Sequence, residues 1–288
     1  MDRSLYNCST ARFDGTARAL TVDEMRVAAP SIFAVEAHES RSTRFAPIPT
    51  FDVLQGLQRA GFSPVACRQA VCRVPDRAPF TKHLIRLRQL EDTRALRVND
   101  TVVEVILKNA NDGSAAYELD LGLFRICCLN SLVVQTGSID SVKIRHSGRD
   151  IVDRVIEGTY QVLDNAQEAL AAPVNWPHVN LERGEQEAFA AAAHVLRFED
   201  QDAPIAQAVT PVKLLECRRP QDRAQNLWTT YNVVQENAIV GGVGGYARNA
   251  NNQLRRVRTR AVTGIDQDVK LNKALFVLAS KMAELKAA

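Results

Sequence analysis

The sequence predicts an α+β fold, with an antiparallel β-meander in the first half packed with helices from the second half. Two observations carry this. Residues 62–146 hold β-rich runs separated by turn residues, with Asn109-Ala110-Asn111-Asp112-Gly113 the strongest turn signal, because Asp-Gly suits the tight turns of hairpins. From residue 150 onward the apolar residues recur at helical spacing instead. Strands first and helices after is the α+β order, as opposed to alternating α/β.

Residues 1–46 read as a weakly patterned N-terminal segment, and 47–288 as one α+β domain. Within the first segment, Thr21 and Glu24 have capping-box spacing, which predicts a short helix that Pro30 stops. Residues 40–50 form an extended connector, because Pro47 and Pro49 disfavour helix before them. Thr50 is the expected N-cap of a helix with Val53, Leu54 and Leu57 inward, and Gly61 ends it. Strands are expected over Phe62–Val74, Phe80–Leu90, Val102–Lys108, Ala115–Leu121, Gly122–Gln135 and Val142–His146. Read with period two, Arg86 and Arg88 share one face of their strand, while His83, Ile85 and Leu87 share the other.

In the second half, a helical run from Ile151 is expected to end at Pro173. Further helices are expected over Glu185–Phe198, Pro211–Glu216, Leu227–Val240 and Asp266–Lys286. The last spans about 31 Å at 1.5 Å per residue, with Val269, Leu275, Leu278, Met282 and Leu285 inward.

A chain of 288 residues with 46% hydrophobic and 24% charged residues can bury a full core unaided. Its apolar runs fall well short of the roughly 18 residues a membrane span needs, and its first residues carry no apolar signal region. A soluble cytoplasmic protein without a membrane partner is expected. The six cysteines, Cys8, Cys67, Cys72, Cys127, Cys128 and Cys217, fit no common zinc spacing, so reduced thiols are expected, with Cys67 and Cys72 the first to suspect were zinc present.

The net charge of +3 is uneven. Residues 212–288 carry 13 Lys+Arg against 6 Asp+Glu, which is +7, and the remainder carries 23 against 27, which is −4. Between Val240 and Ile265 there are five arginines and no acid, whereas residues 158–211 hold eight acids and two arginines. Such asymmetry marks an anionic partner or a solvated face.

The most informative stretch is Leu227–Arg260. A Trp-headed helical run leads into Gly241-Gly242-Val243-Gly244-Gly245, and a polar loop then leads into Arg255, Arg256, Arg258 and Arg260. The glycines either let the backbone approach a ligand or form a hinge that needs positive φ. The arginines alternate as a strand would, placing three on one face, and are read as phosphate contacts or as a solvated edge strand. Trp228 and Tyr231 are spaced either to stack on bases or to pack in the core. Gly242-x-Gly244-x-x-Ala247 follows a helix where a dinucleotide fingerprint would follow a strand, and no P-loop, nucleophile elbow or paired-histidine motif occurs. No cofactor and no catalytic residue is therefore expected.

A chain-long pattern adds to this. It comprises Pro47-Ile48-Pro49-Thr50, Ala60-Gly61-Phe62-Ser63-Pro64, Lys82-His83, Asn111-Asp112-Gly113-Ser114-Ala115-Ala116-Tyr117, Gly122-x-Phe124-Arg125, Cys128-Leu129-Asn130-Ser131-Leu132 and Arg145-His146. Its most specific part is Trp228-Thr229-Thr230-Tyr231-Asn232-x-x-Gln235-Glu236-Asn237 with Gly241-Gly242. It resembles the phage/plasmid-like family of unknown function typified by YfjQ and YafZ, over roughly residues 45–285. Asn111 stands where the family has His before Asp-Gly, and Asn130-Ser131 where it has Asn-Gly.

The resemblance implies origin on a phage, prophage or plasmid, hence a bacterial host cell, and a relation to ring-forming single-strand annealing proteins of the Rad52-like type. The expected function is ATP-independent binding and annealing of single-stranded DNA by a homo-oligomer, with a ring of identical subunits as the form the resemblance suggests. The expected phosphate contacts are Arg248, Arg255, Arg256, Arg258 and Arg260, with Lys82, Arg86, Arg88, Lys143 and Arg145 as a second strip. Gly241, Gly242, Gly244 and Gly245 would give backbone approach. Two alternatives stand beside it: a mobile-element regulatory or anti-defence protein acting by protein binding, and a metal-dependent nuclease.

Overall fold

Strands β1 (Phe62–Gln69), β2 (His83–Gln89), β3 (Thr101–Asn109) and β4 (Tyr117–Cys127) pair antiparallel in chain order. Strand β5 (Asn130–Gln135) continues the sheet beside β4, and the short β6 (Val142–Ile144) also pairs with β4. These elements come from a computed structural model that describes residues 18–42, 45–89, 101–127, 130–135, 142–144, 151–164, 167–198, 208–248 and 251–287. The chain divides into two compact units, Met1–Val133 with Ile139–Gln167, and Val134–Ser138 with Glu168–Ala288. The α+β reading holds, with the sheet in the first half and helices dominating the second.

In the first unit, register sorts the side chains into two unlike faces. Cys67, Ile85, Leu87, Val105, Leu107, Leu119 and Leu121 are buried on one face. Helices α2 (Thr50–Arg59) and α3 (Ile151–Asp164) pack against the sheet and each other. Gly158 lets α3 sit close, since a Cβ there would lie 2.9 Å from Val142 Cγ1 and 3.1 Å from Leu119 Cδ1. The opposite face carries Leu84, Arg86, Arg88, Glu104, Ile106, Lys108, Glu118 and Asp120. Helix α1 (Val22–Ala28) has the expected capping box, with Glu24 N donating to Thr21 Oγ1 at 3.2 Å and Thr21 N to Glu24 Oε2 at 2.9 Å. The Asp-Gly turn also forms: Gly113 has φ +77°, and Ser114 N donates to Asp112 Oδ1 at 2.9 Å.

Several boundaries differ from expectation. β1 stops at Gln69, and Pro75–Phe80 is a 3-10 turn. β4 runs straight through Gly122, which pairs with Glu104. Thr50 is the first helical residue and not the N-cap. Its hydroxyl serves the sheet instead, accepting from Asn109 Nδ2 at 2.9 Å and lying 2.9 Å from His83 Nε2.

The second unit is built around α6 (Leu227–Val240), in which every residue from Thr230 to Ala238 is buried. It is preceded by α4 (Gln167–Asn175) and α5 (Arg183–Phe198), and followed by strands β7 (Gly244–Arg248) and β8 (Leu254–Arg258) and helix α7 (Ile265–Ala287). Trp176, Trp228, Tyr231 and Phe276 form an aromatic cluster with ring centroids 4.9–6.2 Å apart. Tyr231 is fully buried there and belongs to the core, while Trp228 is half-buried at the edge of the cluster. α4 runs past Pro173 to Asn175 before the 3-10 turn Trp176–His178. On α7 the buried stripe is Ile265, Asp268, Leu271, Asn272, Leu275, Phe276 and Ala279, while Leu285 is exposed.

The polar residues of α6 are held by specific partners. Glu236 receives two hydrogen bonds from the Arg219 guanidinium, and Arg219 Nε also donates to Asp222 Oδ2 at 2.8 Å. Asn237 accepts from Arg218 Nε at 2.9 Å and donates to the carbonyls of Leu214 and Glu216. Gln235 donates to Asn272 Oδ1 at 2.5 Å. These bonds allow a helix carrying three amides and one carboxylate to be interior.

Candidate nucleic-acid interface

Gly241 ends α6 with φ +70°, and Gly242 follows with φ +81°, a region that favours glycine. A Cβ on Gly241 would meet the carbonyl carbon of Arg260 at 2.6 Å, and one on Gly245 would meet the Ala208 carbonyl oxygen at 1.9 Å. The close approach at these two glycines is therefore to the chain's own backbone, which corrects their expected role toward a ligand. Gly242 N donates to Thr259 O at 2.8 Å, and Thr259 N to Val243 O at 3.0 Å. Gly241 and Gly245 thus form the fixed root of a β-hairpin, while Gly242 has open space where a Cβ would stand.

That hairpin, β7–β8, pairs Gly244 with Arg258, Tyr246 with Arg256 and Arg248 with Leu254 on one face. The alternate pairs, Gly245 with Val257 and Ala247 with Arg255, lie on the other, as the period of two requires. Arg248, Arg256 and Arg258 thus share a face, with Tyr246 63% and Leu254 61% exposed beside them. All three arginines are exposed, and none has a carboxylate partner among the described residues. Arg248 Nη1 donates to Asn252 O at 2.8 Å, which braces the turn.

The arginine alternation seen in the sequence is thus divided by the structure. Arg255 points to the opposite face, and Arg260 lies beyond the end of β8, where its carbonyl accepts from Arg197 Nη2 at 3.0 Å. Arg248 joins from the partner strand. The residue that sequence reasoning missed is Tyr246. Its signal was present in the alternation of Gly244-Gly245-Tyr246-Ala247-Arg248, but only the register shows that it shares a face with Arg256 and Arg258.

The second expected strip, in the other unit, does not assemble as a free basic face. Arg86 Nε donates to Glu104 Oε2 at 2.5 Å, and Arg88 donates to Glu104 Oε1 through Nη2 and, at 3.1 Å, through Nε. The three side chains are only 10%, 12% and 0% exposed, so these guanidiniums are committed to an internal carboxylate. Burial lowers the Arg86 pKa from its ordinary value, and attraction to Glu104 opposes the shift. Lys143 is exposed, with Nζ 3.5 Å from Glu118 Oε1, and Lys82 is half-buried ahead of β2. Arg145 and His146 lie outside the described residues.

His83, beside that strip, is fully buried between Ser31 Oγ and Thr50 Oγ1, each 2.9 Å from a ring nitrogen. Burial pushes the imidazole down to about 4, so the ring is neutral at pH 7 and offers no charge to a phosphate. Cys67 is buried, Cys72 half-buried and Cys217 exposed, all three as free thiols. No group of three or more His, Cys, Asp or Glu that could hold a metal occurs among the described residues. No described helix is long and apolar enough to cross a membrane.

The class defined here is an α+β protein with a buried, motif-bearing polar helix and an exposed basic hairpin. Residues 37–276 match the family model described as a domain of unknown function (DUF932), and the chain belongs to that family. It is 40% identical over 271 residues to the UPF0380 protein YfjQ of Escherichia coli (strain K12), covering 92% of each chain. It is 41% identical over 268 residues to the UPF0380 protein YafZ of the same strain, again covering 92% of each. No solved structure matches. The Trp228–Asn237 motif lies on α6, where its Tyr231, Asn232, Gln235, Glu236 and Asn237 are buried.

Proposed function

We propose that this protein binds single-stranded DNA and promotes annealing of complementary strands without ATP, as a homo-oligomer encoded by a phage or plasmid. The observation that carries this reading is the exposed face of β7–β8, with Arg248, Arg256 and Arg258 in register and no carboxylate partner among the described residues. Guanidiniums placed this way bind phosphates in any sequence and release counterions as they do so. The absence of a P-loop from the sequence suits chemistry that needs no nucleotide hydrolysis. A kinship with Rad52-like annealing proteins belongs to the same proposal.

Replacing Arg248, Arg256 and Arg258 with alanine should weaken binding to single strands of any sequence. It should also flatten the plot of log affinity against log salt by about 2.1, at roughly 0.7 per single-strand contact. Arg255→Ala, on the opposite face, should leave the slope nearly unchanged. A folded triple variant that binds with unchanged affinity and slope would overturn the reading and put protein binding in its place.

The homo-oligomer rests on charge: eight acids over residues 158–211 complement the acid-free arginine segment of a second copy. Light scattering in about 0.1 M salt, where the Debye length is about 10 Å, should give a multiple of the 31.8 kDa chain mass. A monomer mass would count against self-assembly.

A further inference from the structure

The hairpin face is ordered in three rows, each two residues from the next. Arg258 stands opposite Gly244, Arg256 opposite Tyr246, and Arg248 opposite Leu254, so successive rows lie about 6.6–6.8 Å apart. Every row presents one guanidinium. Gly244 contributes no side chain, and the Arg256 guanidinium lies beside it: a Cβ on Gly244 would be in van der Waals contact with Arg256 Nη2 at 3.9 Å and Nε at 4.0 Å. Arg256 therefore leans along the ribbon toward the Gly244 row, and the ring across from it stays uncovered. Tyr246 is 63% exposed in the middle row, with a cation in its own row and in each row beside it. The fold thus leaves most of this aromatic ring to solvent, among cations. The ring is suited to a flat, apolar partner that arrives together with negative charge, and an unpaired nucleobase on its phosphodiester has both properties.

On that basis, and resting on the DNA-binding reading above, we infer that Tyr246 is a stacking platform for an unpaired base while Arg248, Arg256 and Arg258 hold the neighbouring phosphates. The hairpin then selects single strands over duplex, because a base inside a duplex is already stacked on both faces and cannot offer one to Tyr246. Leu254, in the outer row, extends the apolar surface beside the ring.

The test uses the full-length protein with fluorescent oligodeoxythymidylate, an abasic oligomer of the same length and a blunt duplex. Tyr246→Ala should lose roughly 5- to 150-fold in affinity for oligodeoxythymidylate, the range that stacking of one base on an aromatic supplies. Its salt slope should match that of the unaltered protein, and the abasic oligomer and the duplex should bind both forms equally. Tyr246→Phe keeps the ring and should keep most of the affinity. If Tyr246→Ala holds oligodeoxythymidylate as tightly as the unaltered protein, the stacking role is wrong while phosphate binding stands. An equal loss on the abasic oligomer also overturns it, since the ring would then be acting on the backbone. If the unaltered protein retains no single strand at all, this inference and the reading beneath it both fall.

Discussion

Glu104→Gln should destabilise the sheet unit by about 3–5 kcal/mol, the cost of removing one partner from a buried ion pair. Glu104 is wholly buried and accepts from two guanidiniums that are themselves nearly buried. Glutamine keeps the shape and one acceptor oxygen but removes the negative charge, leaving two cations in a low-dielectric setting. Hydrogen exchange of the β2 and β3 amides reads the effect locally, which matters because a chain of two compact units need not unfold in one step. Replacing all three residues together with apolar ones of similar volume, Arg86→Met, Arg88→Leu and Glu104→Leu, should be neutral or even stabilising by about 1–4 kcal/mol. A single Glu104→Gln effect below about 1 kcal/mol would mean that water screens this triad.

The second large effect is expected at Arg219→Met. Arg219 bridges Glu236 and Asp222, whose side chains are 3% and 2% exposed. Burial lowers its pKa, but the hydrogen bonds to Glu236 and Asp222 outweigh that and the net shift is upward. Without Arg219, Glu236 retains Arg218 at 3.9 Å as its ion-pair partner among the described residues. The expected loss at neutral pH is again about 3–5 kcal/mol. Denaturant unfolding at pH 7 reads the effect, and a loss below about 1 kcal/mol would mean that Arg218 and solvent satisfy Glu236 without Arg219.

Local rules were legible where neighbours in sequence supply the chemistry. Thr21 and Glu24 cap a helix by themselves, Asp112-Gly113 turns the chain by itself, and Gly241 ends α6 because only glycine takes its φ without strain. What failed were inferences from pattern to exposure. Arg86 and Arg88 look like a basic face because alternation reports which side of a strand a residue takes, not whether that side meets water or a carboxylate on β3. His83, on the other face of the same strand, is enclosed by Ser31 and Thr50 from segments 52 and 33 residues away, which alternation cannot show. On α6, Asn232, Gln235, Glu236 and Asn237 conceal a core helix, since groups that satisfy the last three come from distant segments.

The sequence by itself determined the α+β class, the order of strands and helices, the concentration of arginines near the C-terminus and the family pattern, because periodicity, turn chemistry and composition are properties of neighbours along the chain. Only the tertiary structure decided which arginines are committed and which are free to act. Pairing of β7 with β8 brings Arg248 and Tyr246 onto the face of Arg256 and Arg258 and sends Arg255 to the other. The physical reason is that register and burial depend on contacts between residues far apart in the chain, and an ion's partner is set by distance in space.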